Sequence, residues 1–129
     1  MVTTGIDLIE ISRIEKSLEN PRFLTRVFSV EEVALFRERG FRAETIAASF
    51  AAKEAFSKAL GTGIRGFWLT EVSVLRDPLG KPYFRFEGNA RRLVQEAGLS
   101  FSVSLTHTST TAAAFVIGFS SDFHALNTE

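Results

Sequence analysis

The sequence contains no cysteine. That excludes a disulfide framework, a thiolate nucleophile and any cysteine-ligated zinc or iron–sulfur centre. Net charge is missing too: fifteen basic residues balance fifteen acidic ones. The field of the whole chain therefore gives no reason to bind nucleic acid or to adhere to an anionic membrane. No run reaches the roughly eighteen consecutive apolar residues of a membrane span. The opening Met1, Val2, Thr3, Thr4, Gly5, Ile6 and Asp7 lacks the basic region and apolar core of a signal peptide. These absences predict a soluble, unexported, cytoplasmic protein. Tryptophan, tyrosine and methionine occur once each and proline three times, whereas phenylalanine occurs thirteen times.

What is present suffices for one compact domain. The chain has 129 residues, of which 45% are apolar, 12% aromatic and 23% charged, enough to bury a real core. Ile6 and Leu8 share one parity in a β-branched stretch, which predicts a short strand ending near Asp7. Ile11, Ile14 and Leu18 recur at helical spacing, and Asn20-Pro21 breaks that helix. After a short linker, Ser29 and Glu32 match a capping box at the head of a helix over 30–39, closed by Gly40. The stretch 43–60 is rich in alanine, free of glycine and proline, and followed by Gly61, so it predicts the longest helix, packed closely by its small residues.

The period then changes. Val72 and Val74, and Phe84 and Phe86, alternate with polar residues around the turn Asp77-Pro78-Leu79-Gly80, giving a hairpin. A short helix over 90–97 stops at Gly98. Phe101, Val103 and Leu105, with a partner stretch 112–119, give two more strands around a turn at Thr108 to Thr111. Residues 1–119 are expected to form the domain and 120–129 a loose tail. The expected fold class is α+β, an antiparallel sheet packed on a long buried helix.

Few residues invite chemistry. Asp7 is an acid in an apolar run and needs a neutralising partner, either as a helix cap or arginine-paired acid, or as part of a site. Glu54 and Lys58 project from one face of the long helix. They form an ordinary exposed ion pair or, with Asp7, a set suited to a hard divalent cation, since Mg²⁺ takes one or two carboxylates and completes its shell with water and phosphate. Gly61, Thr62 and Gly63 offer backbone amides, although Gly61 is also explained as a cap. His107 shares the parity of Phe101, Val103 and Leu105 and is expected to point to the apolar side at a strand end. Charge is uneven: Arg37, Arg39, Arg42, Lys53, Lys58 and Arg65 against Glu38, Glu44 and Glu54 make this segment +3 and the remainder −3. Such a patch fits a polyphosphate substrate or a solvated helix face.

Gly5-Ile6-Asp7-Leu8, the run from Glu10 through Ile11, Ser12, Arg13 and Ile14 to Glu15, the block from Phe50 through Lys53-Glu54-Ala55-Phe56-Ser57-Lys58 to Ile64, Gly80-Lys81-Pro82, and Val103-Ser104-Leu105-Thr106-His107-Thr108 resemble the holo-[acyl-carrier-protein] synthases. These are the small bacterial class of 4′-phosphopantetheinyl transferases. The likeness spans roughly residues 4–119 in order. It implies that fold, and transfer of the phosphopantetheine arm of coenzyme A to a serine of apo acyl carrier protein for fatty acid and lipid biosynthesis, releasing adenosine 3′,5′-bisphosphate.

By this resemblance Asp7 and Glu54 hold Mg²⁺, Lys58 contacts a phosphate, and Glu54 or water on the metal deprotonates the serine. Lys58, Gly61, Thr62, Gly63, His107 and Arg42 are the expected coenzyme A contacts. Arg13, extended by Lys16, Arg22 and Arg26, is expected to meet the acidic carrier protein. A homotrimer with sites between subunits is implied, in keeping with the many phenylalanines. Ser49 stands where the family usually has an arginine that contacts a coenzyme A phosphate, which predicts weaker discrimination for the 3′-phosphate unless Arg42 or another subunit's arginine compensates. A non-catalytic coenzyme A-binding protein of the same fold is the alternative.

Overall fold

The computed structural model describes residues 1–120. Strand β1 (Val2–Glu10) runs directly into helix α1 (Ile11–Ser17), which buries Ile11 and Ile14. A one-turn helix, α2 (Phe23–Val27), occupies the stretch expected to be a linker. Its five residues are too few to set up a periodicity, and Asn20 prepares it by accepting the Arg22 amide at 3.0 Å. Helix α3 (Val30–Glu38) begins at the expected capping box, with Ser29 Oγ accepting from Glu32 N at 3.3 Å and Glu32 Oε1 from Ser29 N at 3.0 Å. Helix α4 (Ala43–Leu60) is the 18-residue helix read from its alanines.

A short 3₁₀ turn, Leu69–Glu71, leads into the hairpin of β2 (Val72–Arg76) and β3 (Pro82–Phe86). Helix α5 (Gly88–Ala97) and strands β4 (Leu99–His107) and β5 (Thr111–Ser120) complete the described chain. Ser120 is the last residue of β5 rather than the first of a tail, and residues 121–129 lie outside the described residues.

The fold is α+β, but the strands form two antiparallel sheets: β1-β5-β4, and the hairpin β2-β3. β1 lies beside β5, with Asp7 opposite Ala114 and Ile9 opposite Ala112, so strands from opposite ends of the chain are neighbours. One face of the larger sheet packs on α4. Gly5 and Ile9 of β1 and Ala112, Ala114 and Val116 of β5 are buried there. Ile6 and Leu8 take the opposite parity, so the apolar alternation that reveals β1 marks its outward face, where they are 63% and 71% exposed.

Close packing of β1 on α4 depends on Gly5. A Cβ at this position would lie 1.9 Å from the Ala55 carbonyl oxygen and 2.9 Å from the Ala59 amide nitrogen. Gly5→Ala is therefore expected to force β1 off the helix and to cost at least about 2 kcal/mol, measured by urea denaturation; an unchanged midpoint would mean that the strand can shift freely.

Most of the phenylalanines have partners within the chain. Phe28 meets Phe23 and Phe36 edge-on, while Phe56 contacts Phe67, Phe84, Phe86 and Phe101 at 4.8–5.7 Å between ring centroids. The phenylalanine count is thus largely absorbed by the core, and among the described residues it is the outward face of the larger sheet that stays exposed.

Candidate active site

The strand that needs Gly5 also carries Asp7, two residues on and of the same parity, so its carboxylate faces α4 from the edge of the sheet. α4 answers with Glu54 and, one turn later, Lys58. Lys58 Nζ donates to the Ile6 carbonyl at 2.8 Å and lies 3.5 Å from Asp7 Oδ1. Its ion partner is therefore across the β1–α4 junction, not the helical neighbour at the i−4 position. Glu54 is half-buried. Burial raises the pKa of its carboxyl, and the Asp7 charge raises it further, while Lys58 and Arg13 pull the other way. Asp7, Arg13, Glu54 and Lys58 thus form one electrostatic group built by β1, α1 and α4.

Two carboxylates that repel one another in a partly desolvated place are a ready binder of a cation. They are hard oxygen donors, and among the described residues no third His, Cys, Asp or Glu joins them. That donor set fits Mg²⁺, which keeps most of its shell for water and substrate oxygens, and does not fit a structural zinc site.

Gly61, with φ +91°, closes α4 by donating its amide to the Ser57 and Lys58 carbonyls, and the Gly63 amide also donates to Ser57 at 3.2 Å. Both amides are committed to the helix end. Thr62 and Ile64 are exposed in the loop that follows the helix end.

His107 and Arg42 lie elsewhere. His107 is exposed, not turned into the apolar layer as its parity suggests, because that layer ends at Leu105; its Nδ1 is 3.2 Å from the Thr108 carbonyl. With Glu44, Thr108 and Ser109 it lines a cavity of about 410 Å³ at the start of α4. Arg42 is the exposed N-cap of that helix. Roughly 18 Å of helix, at about 1.5 Å per residue, separates Arg42 from Glu54. His107 stands two strands from Asp7, opposite Ala112 rather than in the Asp7–Ala114–Leu105 row, so one chain does not set His107 or Arg42 beside the carboxylates.

Arg13, Lys16, Arg22 and Arg26 are all exposed on or next to α1 and α2, and none forms an ion pair among the described residues. Lys53 departs from its place in the basic segment. It is fully buried, donating to Glu32 Oε1 at 2.6 Å, to the Leu69 carbonyl at 2.9 Å and to the Val72 carbonyl, and its Nζ lies 5.0 Å from the Phe28 ring centroid. It therefore adds no charge to the surface. Sequence reasoning found the capping box of Glu32 but not this second use of the same carboxylate. Ser49, one turn before Lys53, is buried with its Oγ unpartnered.

A family model described as the 4′-phosphopantetheinyl transferase superfamily matches residues 3–117. The chain belongs to this superfamily. Among superfamily relatives, the holo-[acyl-carrier-protein] synthase of Clostridium botulinum (strain Alaska E43 / Type E3) is 44% identical over 114 residues, covering 88% of this chain and 93% of its own length. That of Treponema denticola is 45% identical over 115 residues, covering 88% and 94%. The crystal structure of the Neisseria meningitidis holo-[acyl-carrier-protein] synthase superposes with a TM-score of 0.86 at 34% identity, covering 92% of this chain and 99% of its own. The Helicobacter pylori synthase in complex with coenzyme A gives 0.78 at 30%, covering 90% and 99%.

Proposed function

We propose that this chain transfers the 4′-phosphopantetheine arm of coenzyme A to a serine hydroxyl of an apo acyl carrier protein, supplying holo carrier protein for fatty acid biosynthesis in the cytoplasm. The observation that carries this reading is the Asp7–Glu54 pair across the β1–α4 junction, with Lys58 beside it. Its membership in the superfamily and the names of its relatives support the same reaction.

In this reaction the serine Oγ forms a bond to the phosphorus bearing the pantetheine arm. The anhydride bond breaks, and adenosine 3′,5′-bisphosphate leaves with the electron pair. Asp7 and Glu54 hold Mg²⁺, whose chemistry when bound is Lewis-acid stabilisation of the charge on the pyrophosphate oxygens. Lys58, held by the Ile6 carbonyl, neutralises a further phosphate oxygen. Glu54 takes the serine proton. The exposed loop around Thr62 flanks the substrate on the Lys58 side.

The site is completed by other copies of the chain, in a trimer that joins through the outward face of the larger sheet. Ile6 at 63%, Leu8 at 71% and Phe115 at 41% exposure form an apolar face there, which water alone covers at a cost. A neighbour seated on it brings its His107 and Arg42 to the carboxylates that lie too far away within one chain. Residues 1–119 act as one transferase domain in each copy.

Intact mass spectrometry of an apo acyl carrier protein, incubated with this protein, Mg²⁺ and coenzyme A, tests the reaction. A gain of one phosphopantetheine is expected, abolished by chelation and restored by Mg²⁺. An unchanged carrier mass, with coenzyme A binding intact and several carriers tried, favours the non-catalytic binder.

Carrier docking is tested apart from chemistry. Arg13 acts on Glu54 as well as on any partner, so the cleaner substitution is Arg26→Glu. It is expected to raise KM for the carrier by roughly three- to tenfold with kcat and the KM for coenzyme A unchanged. A change confined to coenzyme A would place the docking surface elsewhere.

A further inference from the structure

Lys58 stands where the carboxylates call for a cation. Its ammonium is shared between two acceptors on β1, the Ile6 carbonyl at 2.8 Å and Asp7 Oδ1 at 3.5 Å. The same charge draws the Glu54 pKa down, against the burial and the Asp7 charge that raise it. With Arg13 included, the two acids and two bases of the junction cancel before anything binds there. The two contacts of the ammonium differ in kind. The carbonyl lies at ordinary hydrogen-bond length, whereas the carboxylate is a long ion pair open to water, with the lysine side chain 55% and the aspartate side chain 20% exposed.

The bland explanation is a fixed pair that ties β1 to α4. That tie exists without it, since Gly5 lies against the Ala55 and Ala59 backbone with no room for a Cβ, and an ion pair this open to water contributes less than about 1 kcal/mol. Such a pair yields to a stronger cation. A divalent ion on Asp7 and Glu54 takes up carboxylate oxygens and repels the ammonium. Asp7 is held in register by β5, opposite Ala114, and cannot follow a departing partner. Lys58, in the last turn of α4, has a flexible four-carbon stem and can move. An ammonium has three donors, so one stays on the Ile6 carbonyl while the donor released by Asp7 has no other acceptor among the described residues.

We propose that Lys58 holds the place of the metal in the free protein, and that its release from Asp7 couples metal binding to coenzyme A binding. While the junction is empty, the ammonium rests on Asp7. When Asp7 and Glu54 hold Mg²⁺, Lys58 gives up Asp7, keeps the Ile6 carbonyl and offers the freed donor to a phosphate oxygen. This exchange rests on the metal pair and the transfer reaction proposed above, and it adds an order to them: the lysine reaches a phosphate only once the metal is in place. Linkage makes the coupling reciprocal, so coenzyme A tightens the metal by the same factor as the metal tightens coenzyme A.

Pulsed acetylation of the full-length protein, with mass spectrometry of the modified lysines, tests the exchange without turnover. Lys81, exposed in the turn between β2 and β3, is the internal reference. Saturating Mg²⁺ without coenzyme A is expected to raise the Lys58 rate relative to Lys81 by about two- to fivefold, and coenzyme A added to that sample to lower it again. In Asp7→Asn the rate should start high and ignore Mg²⁺. Calorimetry with Mg²⁺ alone establishes that the site is filled. A filled site with an unchanged or slower Lys58 overturns the proposal, as does Mg²⁺ that binds only together with coenzyme A. Lys58→Met gives a second measurement: Mg²⁺ alone should bind it more tightly than the wild type, and the tightening of coenzyme A by Mg²⁺ should shrink by about fivefold or more. Undiminished coupling overturns the exchange, and a fall of several degrees in melting temperature without tighter Mg²⁺ marks the pair as a fixed tie. Failure of the transfer reading shows separately, as a wild-type protein that exchanges Lys58 for the metal but leaves the carrier's mass unchanged.

Discussion

Glu54→Gln should lower kcat/KM for phosphopantetheine transfer by about three orders of magnitude while the melting temperature holds or rises. The two halves of this expectation have one cause. Glu54 is half-buried next to Asp7, and both burial and the Asp7 charge disfavour its ionised form. Without a cation the pair destabilises the fold locally, so a neutral amide of the same shape relieves repulsion. In the proposed reaction the same pair would hold the cation, and the amide would remove one charge from the site and the proposed base from the reaction. A rate of carrier modification from intact mass, set beside a thermal melt by circular dichroism, checks both. Near-normal transfer would remove Glu54 from the chemistry. A loss of rate accompanied by a fall of many degrees in melting temperature would make the residue structural. Asp7→Asn should follow the same pattern, with the added release of Lys58 from its 3.5 Å contact.

Asp7 is legible in the sequence because a carboxylate among apolar residues demands an explanation, and Glu54 because the alanines around it leave little surface to expose it. The capping box of Ser29 and Glu32 is legible because it is local, needing only four consecutive residues. What brings Asp7 to Glu54 is not local. β1 is placed by its pairing with β5, more than a hundred residues away, and such a register is invisible to periodicity. The parity of Ile6 and Leu8 reveals a strand but not which side of it meets the helix. That side is decided by Gly5, whose missing side chain lets α4 approach. His107 illustrates the same limit at a strand end, where the alternation outlives the layer it reflects. Charge counting failed at Lys53, since a sum over a segment cannot tell a solvated ammonium from one enclosed by three oxygens.

Lys53→Met should destabilise the protein by about 3–5 kcal/mol. Glu32 is also fully buried, and its carboxylate serves three elements at once: it closes the α3 capping box, accepts the Val74 amide of β2 and accepts Lys53 Nζ of α4. Methionine fills the space of the lysine stem but leaves that carboxylate charged and unpaired, and it strands the Leu69 and Val72 carbonyls. Burial already lowers the Lys53 pKa, with Glu32 opposing that shift, so the ammonium is held by its partners rather than by solvent. The double variant Lys53→Met with Glu32→Gln should recover part of the loss, because the amide can keep the cap without carrying a charge. Additive losses in urea denaturation would mean that the pair is not coupled. The consequence for function is one of position: Glu54 follows Lys53 on the same helix, so the ammonium that ties α4 to α3 and β2 also fixes the turn of α4 from which Glu54 faces Asp7. The single variant is therefore expected to lose transfer activity in proportion to its unfolded fraction, and to regain it at temperatures where the fold persists.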